Sequence, residues 1–133
     1  MSAVVDASLL VAATTDAGEE GVWAESILRG GNLIAPHLAL VEATNILRRL
    51  EMADKLSRME AGAAARDLLL LDLDLVPFAP FADRVWELRA NVTSYDAWYV
   101  AVAEQLDLPL ATLDGRLATA TGPRCRFLLP PDH

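Results

Sequence analysis

Two kinds of hydrophobic pattern alternate along the chain. Short apolar runs of the kind that form buried strands occur at residues 2–5, 33–35, 73–78, 109–113 and 125–128. Between them, apolar residues recur at helical spacing over 8–14, 20–29, 36–52, 57–71, 81–90, 94–107 and, briefly, 116–120. Strands that alternate with helices are typical of a parallel sheet flanked by helices. The pattern therefore predicts a single α/β domain with about five strands.

Local signals mark where several of these helices begin. Ser57 with Glu60, and Thr93 with Asp96, have the spacing of a capping box, in which each side chain hydrogen-bonds the backbone N–H of the other residue. Pro36 suits a first helical turn, because it lacks the N–H that is left unpaired there. These signals predict helix starts near residues 36, 57 and 93.

Composition limits the classes to which the protein can belong. The 133 residues, 53% of them hydrophobic, are enough to bury a core. No apolar run approaches the ~18 residues of a membrane helix, and the N-terminus lacks the basic and apolar segments of a secretory signal. The lone cysteine, Cys125, excludes an internal disulfide and suits a reducing compartment. We therefore expect a cytoplasmic protein that does not associate with membranes.

The net charge of the chain restricts how it can bind nucleic acid. The formal net charge is −8, from 19 acidic and 11 basic residues. This balance argues against an open basic surface for nucleic acid, but not against a site where metal ions supply the positive charge. The high apolar content also suggests that a partner covers part of the surface.

Four carboxylates occupy positions where a solvated side chain is not expected. Asp6 follows the first apolar run, and Asp114 follows the run PLATL, in which Thr112 lies on the same face two residues earlier. Open parallel sheets bind ligands beyond the carboxyl ends of their strands. Glu42 lies at the border of the apolar face of its helix, and Asp96 falls within an apolar helical stripe.

Each of these acids also has a plain structural interpretation. Asp6 can cap the helix that follows it, Asp96 can satisfy N–H groups in a first helical turn, and Asp114 fits ordinary turn chemistry. Glu42 can be a solvated side chain paired with Arg49 on the same helix. Taken singly, none of the four acids distinguishes a functional role from a structural one.

Taken together, the four acids predict a metal site. If they converge, four like charges in one cleft cannot all stay ionised without a counter-charge. Oxygen ligands without a Cys–His cluster suit Mg²⁺, with Mn²⁺ as a substitute. A pair of such ions held by carboxylates activates water and stabilises both oxygens in phosphodiester cleavage.

Four blocks of the sequence, in order and covering nearly the whole chain, resemble the PIN-domain ribonucleases and, among them, the VapC-type toxins. VVDAS resembles the opening strand of that family with its first acid, Asp6, and EATNILRR resembles its second-helix motif with Glu42. YDAWYVAVAE resembles the block with the third acid, Asp96. PLATLDGRL resembles the last block, with the fourth acid, Asp114.

Several polar side chains near the acids are candidates for supporting roles. The resemblance marks Asn45 and Thr112 as the polar residues that accompany the acids of the second and last blocks. Ser8 is a candidate for a hydrogen bond within the site, with an ordinary first-turn serine as the alternative. Arg116 is the candidate for contact with an RNA phosphate, since guanidinium groups bind phosphate oxygens in pairs of hydrogen bonds.

The resemblance implies a three-layer PIN-like fold with strand order 3-2-1-4-5, in which Asp6 and Asp114 flank the switch point. It implies a Mg²⁺-dependent endoribonuclease that cleaves structured RNA, either tRNA or ribosomal RNA. It also implies a homodimer that a cognate VapB-type antitoxin holds inactive in a higher-order complex. Many relatives carry a further acid shortly after the fourth, whereas Gly115 and Arg116 stand here, so the number of bound ions, one or two, stays open.

Other functional classes fit the sequence less well. A phospho-receiver domain needs a lysine after a late strand, and the single lysine, Lys55, lies elsewhere. A haloacid-dehalogenase-type phosphatase needs a second aspartate two residues after the first, where this chain has Ser8. The alternative that remains is a catalytically degenerate PIN fold that acts as a binding module.

Overall fold

A computed structural model describes residues 1–16 and 18–131 of the chain. Its strands are β1 (Ala3–Val5), β2 (Leu33–Pro36), β3 (Leu73–Val76), β4 (Leu110–Ala111) and β5 (Phe127–Leu128). Its helices are α1 (Ala7–Thr15), α2 (Glu19–Arg29), α3 (Ala39–Met52), α4 (Arg58–Leu70), α5 (Ala82–Glu87), α6 (Ser94–Leu106) and α7 (Gly115–Ala118), with a 3-10 turn at Ala79–Phe81. The predicted alternation of strands and helices is confirmed, although the strands are shorter than most of the apolar runs.

The strands form one parallel sheet in the order β3-β2-β1-β4-β5. In the central strand, Val4 pairs with Ile34 of β2 on one side and with Leu110 of β4 on the other. The chain winds outward from β1 in both directions, so the carboxyl ends of β1 and β4 form the switch point, where such sheets bind ligands. The strand order predicted from the resemblance is confirmed.

The core holds both ends of this switch point in place. All three residues of β1 are buried, and so are the seven consecutive residues 97–103 of α6, which packs on β1, β2 and β4. The buried surface of α6 consists mainly of Ala and Val, whose small side chains let the helix lie close to the sheet. On the other side of the sheet, α1 packs against α2, α3 and α4. The first turn of α1 is therefore fixed by the core, and α6 is held against the sheet from Ala97 onward.

The capping signals are confirmed where the side chains make the expected bonds. Ser57 and Glu60 form a complete capping box, with Ser57 N–H donating to Glu60 Oε1 at 2.9 Å and Glu60 N–H to Ser57 Oγ at 3.0 Å. At the start of α6, Thr93 Oγ1 accepts a hydrogen bond from the N–H of Asp96 at 3.2 Å. Both helices begin within a residue of the predicted position.

The prediction that Pro36 lies in a first helical turn is wrong. Pro36 is the last residue of β2 and pairs with Val76 of β3, and α3 begins only at Ala39. The parallel ladder continues past the proline because the N–H of His37 donates to the carbonyl of Val76 at 2.9 Å. The missing N–H of Pro36 is therefore tolerated at the end of the strand.

Several large apolar side chains remain on the surface. They include Val41, Met52, Met59, Leu69 and Leu70 on α3 and α4, Phe78 after β3, Trp86 on α5 and Tyr95 on α6. Across the described residues, every helix is too short or too polar to cross a bilayer.

Candidate active site

Three hydrogen bonds hold the carboxylate of Asp6 at the end of β1. Asp6 is the N-cap of α1, and its Oδ1 accepts from the N–H of Leu9 at 3.1 Å and from the hydroxyl of Ser8 at 2.6 Å. Its Oδ2 accepts from the hydroxyl of Thr112. Burial raises the pKa of Asp6, and the charge of Asp96 raises it further. The three hydrogen bonds lower it, but the net pKa stays above its ordinary value. The buried acid is thus compensated in part by polar groups.

Ser8 and Thr112 also tie the loop after β4 to this acid. The oxygen of Thr112 accepts from the N–H of Asp114 at 2.9 Å, and the oxygen of Ser8 accepts from the N–H of Leu113 at 3.2 Å. Each hydroxyl therefore donates to Asp6 and accepts from the backbone of the loop. The structure places Ser8 and Thr112, two of the three candidate supporting residues, directly beside the first acid.

Asp114 ends the same loop as the N-cap of the short helix α7. Its Oδ1 accepts from the N–H groups of Arg116 at 3.0 Å and Leu117 at 3.3 Å. The side chain of Arg116 is exposed at the start of α7. The interpretation of Asp6 as a cap is therefore correct, and Asp114, which the sequence assigns to an ordinary turn, is also a helix cap.

Asp96 connects the four acids electrostatically. It is half-buried in the first turn of α6, where burial and the charge of Asp114 raise its pKa and Thr93 opposes the shift. The charge of Asp96 in turn adds to the raised pKa of Asp6 and of Glu42. Because like charges repel one another, these shifts indicate that Asp96 lies within electrostatic reach of Asp6, Glu42 and Asp114.

Glu42 is bound to a residue that the sequence did not single out. The hydroxyl of Tyr99 on α6 donates to Glu42 Oε1 at 2.6 Å, and only 2% of Tyr99 is exposed. Burial and Asp96 raise the pKa of Glu42, and the bond from Tyr99 opposes the shift. The signal in the sequence is a tyrosine within the stripe of Val and Ala, since a buried phenol hydroxyl requires a partner.

The alternative of a solvated Glu42 paired with Arg49 is wrong. Arg49 is exposed, and none of the three ion pairs among the described residues includes either side chain. Glu42 instead faces α6, because the border of the apolar face of α3 packs inward there. Asn45, one turn further along α3, is exposed, and its side chain makes no hydrogen bond within residues 1–16 and 18–131.

The donor set fits a hard divalent cation. All candidate ligands are carboxylate oxygens, and no basic side chain in the described part of the chain forms an ion pair with them. Glu42 Oε2 and Asp114 Oδ2 make no hydrogen bond to any described residue and are free to bind. Within the same residues, no group of three Asp, Glu, His or Cys side chains is close enough to hold an ion. Coordination by three of the acids therefore requires their side chains to turn toward one another.

Comparison with known proteins agrees with this architecture. The model of the PIN domain family matches residues 3–122. Ribonuclease VapC1 of Mycobacterium tuberculosis is 40% identical over 127 residues, which cover 95% of this chain and 96% of that protein. The range that the family model matches includes all four acids and the switch point between β1 and β4.

Two solved structures share the fold at low sequence identity. VapC20 of Mycobacterium tuberculosis, described as a sarcin-ricin loop cleaving toxin, superposes with a TM-score of 0.66 at 18% identity, covering 86% of this chain and 92% of that one. VapBC2 of Rickettsia felis, bound to a DNA fragment from its promoter, superposes with a TM-score of 0.68 at 15% identity. The superposition covers 98% of this chain and 99% of that one. From the family model and the sequence relatives, this chain belongs to the PIN-domain family and, within it, to the VapC-type ribonucleases.

Proposed function

We propose that the chain is a Mg²⁺-dependent endoribonuclease that hydrolyses phosphodiester bonds of structured RNA. The site consists of Asp6, Glu42, Asp96 and Asp114. The observation that carries the proposal is the position of these four carboxylates near the switch point of the sheet, where the charge of Asp96 adds to the raised pKa of Asp6 and of Glu42 and no described basic side chain forms an ion pair with any of the four. The name of the relative VapC1 as a ribonuclease supports the same reaction.

The residues of the site divide into fixed and adjustable groups. Asp6 is held by three donors and would be the fixed ligand. Glu42, Asp96 and Asp114, from α3, α6 and the loop after β4, would complete the set of carboxylates that holds the ion. When bound, Mg²⁺ offsets the negative charge of the acids and of the phosphate, and lowers the pKa of water. Arg116 lies two residues from Asp114 and contacts a phosphate oxygen of the RNA.

The proposed reaction fixes the ends of the products. Water attacks phosphorus, the bond from phosphorus to the 3′ oxygen breaks, and that oxygen takes up a proton. The products are therefore a 3′-hydroxyl and a 5′-phosphate, with no attack by the ribose 2′-hydroxyl. Ends that carry a 2′,3′-cyclic phosphate would contradict this reaction.

The experiment that tests the function is RNA cleavage by the purified protein in Mg²⁺ and in EDTA, followed by mapping of the ends. Asp6→Asn and Asp96→Asn should each lose most of the activity while staying folded. Asp74→Asn, which neutralises an exposed acid on β3, is the matched control and should cleave as the wild type does. Binding of RNA without cleavage in Mg²⁺ would instead indicate the degenerate PIN fold that acts as a binding module.

We propose tRNA or ribosomal RNA as the substrate class and the cytoplasm as the location. Structured RNA follows from the family resemblance, and the lone Cys125 suits a reducing compartment. Mapping of cut ends in total RNA after induction of the protein identifies the substrate. Cuts spread over unstructured messenger RNA would contradict the proposed class.

We also propose a homodimer that a VapB-type antitoxin inactivates in a higher-order complex. The exposed apolar side chains of α3, α4 and α5 support protein partners, and the acidic cleft suits an Arg or Lys from the antitoxin. Light scattering at micromolar concentration should give twice the monomer mass, and a monomer would count against the dimer. Undiminished RNA cleavage by the purified complex with the antitoxin would count against inactivation by the antitoxin.

A further inference from the structure

We infer that Tyr99 is a positioning residue of the acidic site, whose hydroxyl holds the Glu42 carboxylate in the orientation needed to bind a divalent cation. The inference rests on the proposed function and adds to it a residue outside the four acids. Tyr99 lies one turn after Asp96 on α6, and 57 residues separate it from Glu42. In the part of the chain that the structure describes, theirs is the one side-chain hydrogen bond between α3 and α6.

The geometry gives the bond an orienting role. It engages Oε1 of Glu42 at 2.6 Å and leaves Oε2 without a hydrogen-bond partner among the described residues. Without the donor, the repulsion by Asp96 would turn the flexible Glu42 side chain toward solvent, because it is only partly buried. The ring of Tyr99 cannot follow such a movement, since it is packed in the core and 2% exposed.

The chemistry of the donor suits a metal site. A phenol hydroxyl donates one hydrogen bond and carries no charge, so it orients the carboxylate without neutralising it. An Arg or Lys in the same place would form an ion pair with Glu42 and compete with the cation. Donors that orient metal ligands in this way typically contribute ~10–100-fold to metal affinity.

Calorimetric titration of the metal-free protein with Mn²⁺ tests the inference. Tyr99→Phe keeps the packed ring and removes the hydroxyl, and should weaken Mn²⁺ binding by about tenfold. Tyr95→Phe is the matched control, since Tyr95 lies on the same helix with 61% of its surface exposed, and should bind Mn²⁺ as the wild type does. A second readout is the Mg²⁺ concentration for half-maximal cleavage, which should rise about tenfold while the rate at saturating Mg²⁺ changes little.

A double-mutant cycle separates orientation of Glu42 from a general packing effect. In the background of Glu42→Ala, the further change Tyr99→Phe should leave Mn²⁺ affinity unchanged, because the carboxylate that the hydroxyl orients is gone. An equal loss in both backgrounds would overturn the inference, since Tyr99 would then act through packing.

The remaining outcomes distinguish this inference from the function on which it rests. Binding of Mn²⁺ by the wild type but not by Asp6→Asn would support the metal site. If Tyr99→Phe then binds Mn²⁺ as tightly as the wild type or more tightly, the role of Tyr99 is overturned and the metal site stands. If the wild type itself does not bind Mn²⁺, both the metal-dependent function and the role of Tyr99 are overturned.

Discussion

The hydroxyl of Thr112 donates a hydrogen bond to the carboxylate of Asp6, although 106 positions separate the two residues in sequence. The bond joins the ends of the neighbouring strands β4 and β1. The same oxygen of Thr112 accepts from the N–H of Asp114 at 2.9 Å. One fully buried hydroxyl therefore fixes the spacing of two of the four acids.

Replacement of this hydroxyl should reduce both stability and activity. Thr112→Val has nearly the same shape but leaves Asp6 without one donor and the N–H of Asp114 without its acceptor. We expect the free energy of unfolding to fall by about 1–3 kcal/mol, the usual effect of leaving buried polar groups unpaired. Denaturant unfolding and RNA cleavage measure the two effects. Thr112→Ser keeps the hydroxyl and should retain most of the activity, and a Thr112→Val protein as stable as the wild type would contradict the account.

A second network, outside the acidic site, anchors the segment before β5. Arg84 Nε and Nη2 donate to the two carboxylate oxygens of Glu104 at 2.7 and 3.1 Å, and Nη2 also donates to the carbonyl of Gly122 at 2.9 Å. Glu104 Oε2 accepts in addition from the N–H of Arg124 at 2.7 Å. The side chains of Arg84 and Glu104 are only 21% and 16% exposed, so water screens this pair weakly.

Glu104→Gln should therefore lower the free energy of unfolding by about 1.5–3 kcal/mol, the range for hydrogen bonds to charged groups. Glu25→Gln is the matched control, because Glu25 forms an exposed pair with Arg29 at 3.5 Å and its loss should change stability by less than about 1 kcal/mol. Denaturant unfolding of the two variants makes the comparison. Equal effects of the two substitutions would show that the Arg84 network adds no stability.

The metal-free protein should become more stable on mild acidification. Asp6, Glu42 and Asp96 have raised pKa values in the folded state, so each destabilises the fold as pH rises above its unfolded pKa of 3.8 or 4.5. Burial raises the pKa of Glu104, but the hydrogen bonds from Arg84 and Arg124 outweigh burial and the net pKa is lowered. The contribution of Glu104 to the stability of the fold is therefore lost only as pH falls below 4.5.

The free energy of unfolding in EDTA should consequently rise as the pH falls from 7 toward the unfolded pKa values of 3.8 and 4.5, and fall again below them. In Mg²⁺ the rise should be smaller, since protons compete with the cation for the carboxylates. Denaturant unfolding at a series of pH values measures both curves. A steady loss of metal-free stability from pH 7 downward would contradict the raised pKa values of these three acids.

The parts of this structure that the sequence predicts are those set by local pattern. Asp6 and Asp114 are placed at the sheet edge because each directly follows an apolar run that becomes a strand. The start of α4 follows from Ser57 and Glu60, whose bonds span only three residues. Strand order was available only through the family resemblance, since periodicity does not say which strands are neighbours.

The parts that the sequence does not predict depend on how distant elements face one another. The bond between Tyr99 and Glu42 requires α3 and α6 to come close together at one point, and helical spacing within α3 does not contain that information. The same spacing made Arg49 the expected partner of Glu42. Pro36 was misplaced because the bond that continues the strand comes from the next residue, His37, and requires β3 as its partner.

The central claim is that the four acids act together as one cation site, and Asp96→Asn distinguishes it from separate capping roles. In the structure, the bond that caps α6 uses the backbone N–H of Asp96 and the Thr93 hydroxyl, and Asn keeps that N–H. Neutralising Asp96 therefore removes repulsion toward Asp6, Glu42 and Asp114 without removing this bond. The repulsion and the cation site should disappear together.

The measurement that tests this claim most directly is thermal melting of the wild type and Asp96→Asn, each in EDTA and in Mg²⁺. We expect the variant to melt at or above the wild-type temperature in EDTA. We expect Mg²⁺ at a hundredfold excess over Kd to stabilise the wild type by ~2.7 kcal/mol and the variant by less. If Asp96 acts only through its negative charge near the positive end of the α6 dipole, the variant should instead lose about 0.3–1 kcal/mol in both buffers. Equal destabilisation with and without Mg²⁺ would show that the four acids do not share a cation.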